Sequence, residues 1–173
     1  MNRVYGLLTD FAPVREDESR TIVSYGLTKV DKKHYEWFEV YLYKKQQPNV
    51  GFDAVKKAVL GDINARTDEK IVSGFVWTPP VEEGETATPI NVWLSEENQR
   101  NFSEAQRVAV LTQGQSLPVT FKLGEDSEGT PVYHTFESVE ELNGFYLAGV
   151  AYIQQCLADG WAEKDAIDWS IYE

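Results

Sequence analysis

The sequence predicts an α+β fold: an N-terminal antiparallel β module over residues 1–48, then an α+β domain over residues 50–173 with three main helices and short β hairpins. Period-two alternation of side chains dominates before residue 44, while apolar spacings of three and four residues dominate three later windows. Between the two regimes lies Gln46-Gln47-Pro48-Asn49-Val50-Gly51, a run of turn-forming residues and the expected module boundary. With 173 residues, 42% apolar and 13% aromatic, the chain has enough material for one good core or two small ones, and it is too apolar for disorder.

Residues 1–46 read as strands. Val4–Thr9 and Thr21–Val30 are β-rich runs, and the stretch between them, with Pro13 and Arg15-Glu16-Asp17-Glu18, reads as turn or loop. The best strand is His34–Lys44. Tyr35, Trp37, Glu39, Tyr41 and Tyr43 alternate there with Glu36, Phe38, Val40 and Leu42, so both faces are largely apolar or aromatic. Such a strand either lies between two layers, the default, or presents its tyrosines to a partner. Tyr35, Trp37, Tyr41 and Tyr43 are therefore the candidate partner-binding residues. Asp31-Lys32-Lys33 is the expected hairpin turn before this strand.

Phe52, Val55, Val59 and Ile63 place one stripe on a helix expected to run to about Ser73, with Gly74 suited to a left-handed end. Two short strands, Phe75–Trp77 and Ile90–Leu94, flank a Pro, Gly and Glu loop over residues 79–89 that is expected to be exposed and mobile. Ser95 is the expected N-cap of a second helix, with Glu96 and Glu97 at the positive end of its dipole. Phe102, Ala105, Val108, Ala109 and Thr112 form its stripe, and Gly114 ends it. Leu117–Leu123 and Pro131–Phe136 read as a hairpin around Gly124–Thr130. Ser138-Val139-Glu140-Glu141 matches a capping box for the third helix, whose stripe is Leu142, Phe145, Tyr146, Val150, Ile153 and Leu157. Gly160 is expected to close it. The tail, with Trp161, Ile167 and Trp169, is expected to fold one more turn back.

Twenty-eight acids against sixteen bases give a net charge of −12, which repels a phosphate backbone unless the cations cluster. They barely do. Residues 1–50 carry eight Lys and Arg against seven Asp and Glu, and residues 51–173 carry eight against twenty-one. No nucleic acid is expected as a partner, since Lys29, Lys32, Lys33, Lys44 and Lys45 give only a weak positive strip beside the aromatic strand. No apolar run approaches the roughly 20 residues of a membrane span, and residues 1–10 lack the apolar core of a signal peptide, so cytoplasmic synthesis and no membrane partner are expected.

Reactive constellations are not legible. His34 and His134 lie in expected strands without metal-site spacing, and Cys156 falls on the apolar side of the third helix, where a small buried hydrophobe is expected. Glu125-Asp126-Ser127-Glu128-Gly129 lacks the spacing of a calcium loop and reads as a solvated hairpin tip. No nucleophile elbow, phosphate loop or zinc-protease motif occurs, and no cofactor or metal is expected. Two further readings stay open: a small hydrolase using paired carboxylates, and a carbohydrate-binding module, either acting on host glycans.

A pattern with no catalytic signature remains: Asn64-Ala65-Arg66-Thr67-Asp68-Glu69, Gly74-Phe75, Val92-Trp93-Leu94-Ser95 with Gln99 and Asn101, Leu117-Pro118-Val119, Val150-Ala151-Tyr152-Ile153, and Gly160-Trp161. Through it, residues from about 60 to 173 resemble a domain of uncharacterised function found in bacteriophage and prophage proteins, often beside tail-fibre or tail-assembly genes. The resemblance implies a non-enzymatic component of a phage tail or of its assembly, working by contact with other phage proteins or with itself. It also implies a bacterial host, with incorporation in the virion as one outcome. Residues 1–50 lie outside it.

Overall fold

The computed structural model describes residues 2–46, 49–81, 84 and 86–173. Gln47 and Pro48 of the expected boundary, and Glu82, Glu83 and Glu85 of the expected mobile loop, lie outside the described residues. The fold is mixed α+β: a four-stranded antiparallel sheet, then three helices with two short hairpins. By packing, the chain divides into two compact units, Met1–Thr67 with Ala158–Glu173, and Asp68–Leu157.

In the first unit, β1 (Asn2–Leu7), β2 (Val14–Glu16), β3 (Arg20–Lys29) and β4 (His34–Tyr43) form one sheet in the order β1-β4-β3-β2. The segment expected as loop thus contains a strand. β2 escapes detection because its three residues are all exposed on an edge, so no buried face imposes alternation on Val14, Arg15 and Glu16. The hairpin turn is set by Asp31, whose carboxylate accepts from the backbone amides of Lys33 and His34 at 2.8 and 2.9 Å. Register pairs Val23 with Val40 and Tyr25 with Phe38, which puts Val23, Tyr25, Phe38, Val40 and Leu42 on one face. Against that face pack Val55, Val59 and Ile63 of α1 (Phe52–Ser73), with Ile167, Trp169 and Tyr172 from the chain's end. Val59 and Ile63 are fully buried, and each contributes about 1.5–3 kcal/mol by leaving water.

In the second unit, α1 ends at Gly74, whose φ of +89° suits a residue without Cβ. A Cβ there would also lie 1.8 Å from the carbonyl oxygen of Val92, so glycine is demanded twice. β5 (Phe75–Trp77) pairs with β6 (Ile90–Val92), and β7 (Val119–Glu125) with β8 (Pro131–Phe136). The hairpins meet where the Trp93 amide donates to the Leu123 carbonyl at 2.8 Å. Ser95 caps α2 (Glu96–Leu111), its hydroxyl accepting from the Asn98 amide at 3.2 Å. The core is aromatic: Phe75, Trp77, Phe102 and Phe136 surround Phe145 of α3 (Val139–Asp165), with ring centroids 4.9–6.1 Å from its own.

Two expectations for α3 need correction. Its first turn holds only half of a capping box: the Glu141 amide donates to Ser138 Oγ at 3.2 Å, but the Glu141 carboxylate turns to His134 Nε2 at 2.7 Å and to the Glu137 amide at 3.3 Å. Nor does the helix stop at Gly160. It continues to Asp165: Gly160 does not take the left-handed conformation of a helix-ending glycine and is instead buried against Thr67, where a Cβ would come within 2.4 Å of the threonine hydroxyl. That glycine serves close helix approach, and the expected final turn is a 3-10 turn at Trp169–Tyr172. Trp161, expected in the tail, lies within α3 and is 55% exposed.

Candidate functional site: the tyrosine and arginine face of the N-terminal sheet

Alternation along β4 sends Tyr35, Trp37, Glu39, Tyr41 and Tyr43 to the sheet face opposite Val23, Tyr25 and Phe38. The four candidate residues do not share one environment. Trp37 is 1% exposed, seated over Gly6 of β1 and met edge-on by Phe11 at 5.8 Å. Tyr35 and Tyr41 are half-buried, and Tyr43 is 49% exposed. The face is thus closed at the Trp37 end and open at the Tyr43 end.

Glu39 joins the two ends. It is 5% exposed, and three groups hold its carboxylate: Arg15 on β2 at 2.8 Å, the Trp37 indole N–H at 3.2 Å and the Tyr41 hydroxyl at 3.3 Å. A buried carboxylate needs such company, since an uncompensated one costs several kcal/mol. Ser24, its register partner on β3, has a buried hydroxyl with no hydrogen-bond partner among the described residues. Arg20 lies over the Tyr41 ring, 4.1 Å from its centroid, and bonds Asp17 at 2.7 Å. That bond and the Ser19 amide hold the Asp17 carboxyl well below the usual carboxylate range. The open end therefore presents stacked and ion-paired guanidinium groups among tyrosines, with N–H donors left over. Chemically it can recognise acceptor oxygens beside an apolar contact.

The opposite face carries a polar cluster that sequence reasoning missed. Arg66 bonds the Tyr25 hydroxyl at 3.1 Å, Asp62 at 3.3 Å and Glu163, and lies over the Phe38 ring at 4.0 Å. Burial opposes the charge on Arg66, but Glu163 and Tyr25 outweigh it and raise the pKa. Burial, then the bond to Asp62, pushes the Tyr25 phenol well above its usual 10. A cavity of about 740 Å³ opens beside this cluster, but Nε and Nη2 of its guanidinium are already committed to Asp62, Tyr25 and Glu163 of the same unit. The available signal was the Asn64–Glu69 motif itself. Asn64 accepts from Lys164, Arg66 holds Glu163, and Thr67 meets Gly160, so the motif's residues serve to dock the end of α3.

The remaining candidates have local partners. His34 is held by Asp31 at 2.9 Å and stacks on Tyr5, and His134 is held by Glu141. Cys156 is buried, as expected for a small hydrophobe. At the hairpin tip, Asp126 accepts from the amides of Glu128 and Thr130, both at 2.9 Å, which is turn chemistry. Lys44 pairs with Glu16 across the sheet edge. Among the described residues no three or more His, Cys, Asp or Glu side chains gather to hold a metal ion, and no helix is long and apolar enough to cross a membrane.

A family model described as Domain of unknown function (DUF4376) matches residues 54–173, more than half of the chain. The chain belongs to the DUF4376 family. No curated protein and no solved structure matches it. The DUF4376 match starts inside α1, so it takes in Asp62, Arg66 and Glu163 but leaves the whole four-stranded sheet outside. The tyrosine and arginine face is thus a feature of this chain beyond the matched part.

Proposed function

We propose that this DUF4376 chain is a non-enzymatic phage or prophage protein, a tail- or tail-fibre-associated structural or assembly module that works by protein–protein contact. The phage setting rests on the resemblance of residues 60–173. The mode of action rests on one observation, the open end of the N-terminal sheet, where Tyr43, Tyr41, Arg20 and Arg15 crowd one face. Tyrosine and arginine are the residue types that carry binding energy at protein interfaces, because each offers a large apolar body with a polar tip. The leftover guanidinium donors favour a partner surface rich in Asp and Glu. Made in the cytoplasm of a bacterial host, such a module ends either in the particle or as an assembly factor.

The test joins size-exclusion chromatography with light scattering to pulldowns with the tail proteins encoded beside this one. A complex that is lost in Tyr43→Ala/Arg20→Ala, with the fold unchanged by circular dichroism, supports the reading. A monomer that retains none of those proteins overturns it, and a self-associating chain insensitive to the two substitutions overturns the choice of face.

A further inference from the structure

The second unit contains a cavity that the docking reading does not use. It lies between α2 and α3, has a volume of about 300 Å³, and is floored by Phe75, Leu94, Phe102 and Phe145, all buried. That volume is at the small end of ligand pockets. Position 149 on α3 is glycine, and a Cβ there would take up part of this space, its nearest neighbours being the floor residues Phe75 and Leu94 at ordinary contact distances of 3.5–4.0 Å.

Arg100, Ser103 and Tyr146 also line the cavity, the first two exposed and Tyr146 half-buried. Residues 68–157 hold four Lys and Arg against fourteen Asp and Glu, so cations are scarce in this unit. Arg107 pairs with Glu104 and Lys122 with Glu125, both within hydrogen-bond distance. Arg100 is exposed and makes no ion pair among the described residues, although Glu96, Glu97 and Glu104 stand three or four positions away on the same helix. An unpaired guanidinium beside an aromatic pocket is complementary to an apolar ring or short chain that ends in a planar anion such as a carboxylate. The apolar part displaces water from the floor, and the planar carboxylate meets the guanidinium fork.

We propose that this cavity is a binding site for a small amphipathic carboxylate, with Arg100 as the anion-recognising residue and Gly149 as the residue that keeps the space open. The site is independent of the sheet face, so either reading can fail without the other. The acidic unit repels anions at long range, but that field is screened within about 8 Å at physiological salt, whereas the contact with Arg100 is local.

The experiment is calorimetric titration of the full chain with 3-phenylpropionate and, as its uncharged counterpart, 3-phenylpropan-1-ol. The acid is expected to bind about tenfold more tightly than the alcohol, the size of one charge-assisted contact. Arg100→Gln removes that preference and leaves the alcohol's affinity unchanged. Gly149→Leu abolishes both, and Gly149→Ala, which adds a methyl without a clash, weakens both while the fold stays intact by circular dichroism. Equal binding of acid and alcohol to the unmodified chain, no binding of either, or acid affinity that survives both Gly149 substitutions overturns the proposal.

Discussion

Arg66 in the first unit and Arg100 in the second carry the same group into opposite circumstances. Arg66 is surrounded by Asp62, Glu163, Tyr25 and the Phe38 ring, while Arg100 stands unpaired beside a cavity. A conspicuous charge in a motif is thus not by itself a site. Arg66 spends its donors on holding its own unit together, and a group so occupied has little left for a ligand. The cores differ likewise. The first unit relies on aliphatic packing fixed by long-range polar bonds, the second on a cluster of aromatic rings.

Breaking the aromatic cluster has the largest expected effect. Phe145→Ala removes the ring common to four aromatic contacts and is expected to cost about 3–5 kcal/mol in urea unfolding, with hydrogen exchange accelerated first in residues 68–157. Arg66→Ala comes next. It leaves Asp62, Glu163 and a buried phenol without their common cation and is expected to cost about 2–3 kcal/mol, whereas Arg100→Gln stays within about 0.5 kcal/mol of the unmodified chain. A loss of similar size for both arginines would erase the contrast between them.

Gly160→Ala is expected to cost about 1–3 kcal/mol through overpacking against Thr67, and Thr67→Ala in the same chain to restore most of it; additive losses would show that the two residues do not clash. The stability of the first unit is also expected to depend on pH. Tyr172 donates to the Ser24 carbonyl at 2.7 Å, and burial, with Asp168 nearby, leaves its pKa pushed up to about 12 from the usual 10. Below pH 10 both folded and unfolded chains keep this proton. Above it the unfolded chain releases the proton first, so stability falls as pH rises from 10 towards 12. Tyr172→Phe is expected to flatten that part of the curve in unfolding titrations at pH 8, 10 and 11. Smallest is Ser24→Ala, which deletes a buried unpaired hydroxyl and is expected to leave stability unchanged within about 0.5 kcal/mol or to raise it.

Much of this architecture was legible wherever a face is buried continuously. The alternation of β4 and the three-and-four spacing of Val55, Val59 and Ile63 report such faces directly. β2 was illegible because an exposed edge strand imposes no pattern. Gly160 misled because a helix-ending glycine and a close-packing glycine look alike without the neighbour they face. The Arg66 cluster could not be read because Tyr25 and Glu163 stand 41 and 97 positions away, and nothing local marks either as its partner. Along β4 the strand period assigned the face, but Trp37 is covered by contacts with Gly6 and Phe11, far from it in the sequence, while Tyr43 stays open.

The first unit is discontinuous in the chain, and this bears on how the protein is made. Glu163 and Tyr172, which bond Arg66 and Ser24, are translated only after all of residues 68–157. On the ribosome the β sheet therefore emerges early but must wait, its α1-facing side incompletely covered, until the last helix and its tail leave the exit tunnel. A stalled or shortened polypeptide would leave that side without Ile167, Trp169 and Tyr172, open to chaperones and proteases.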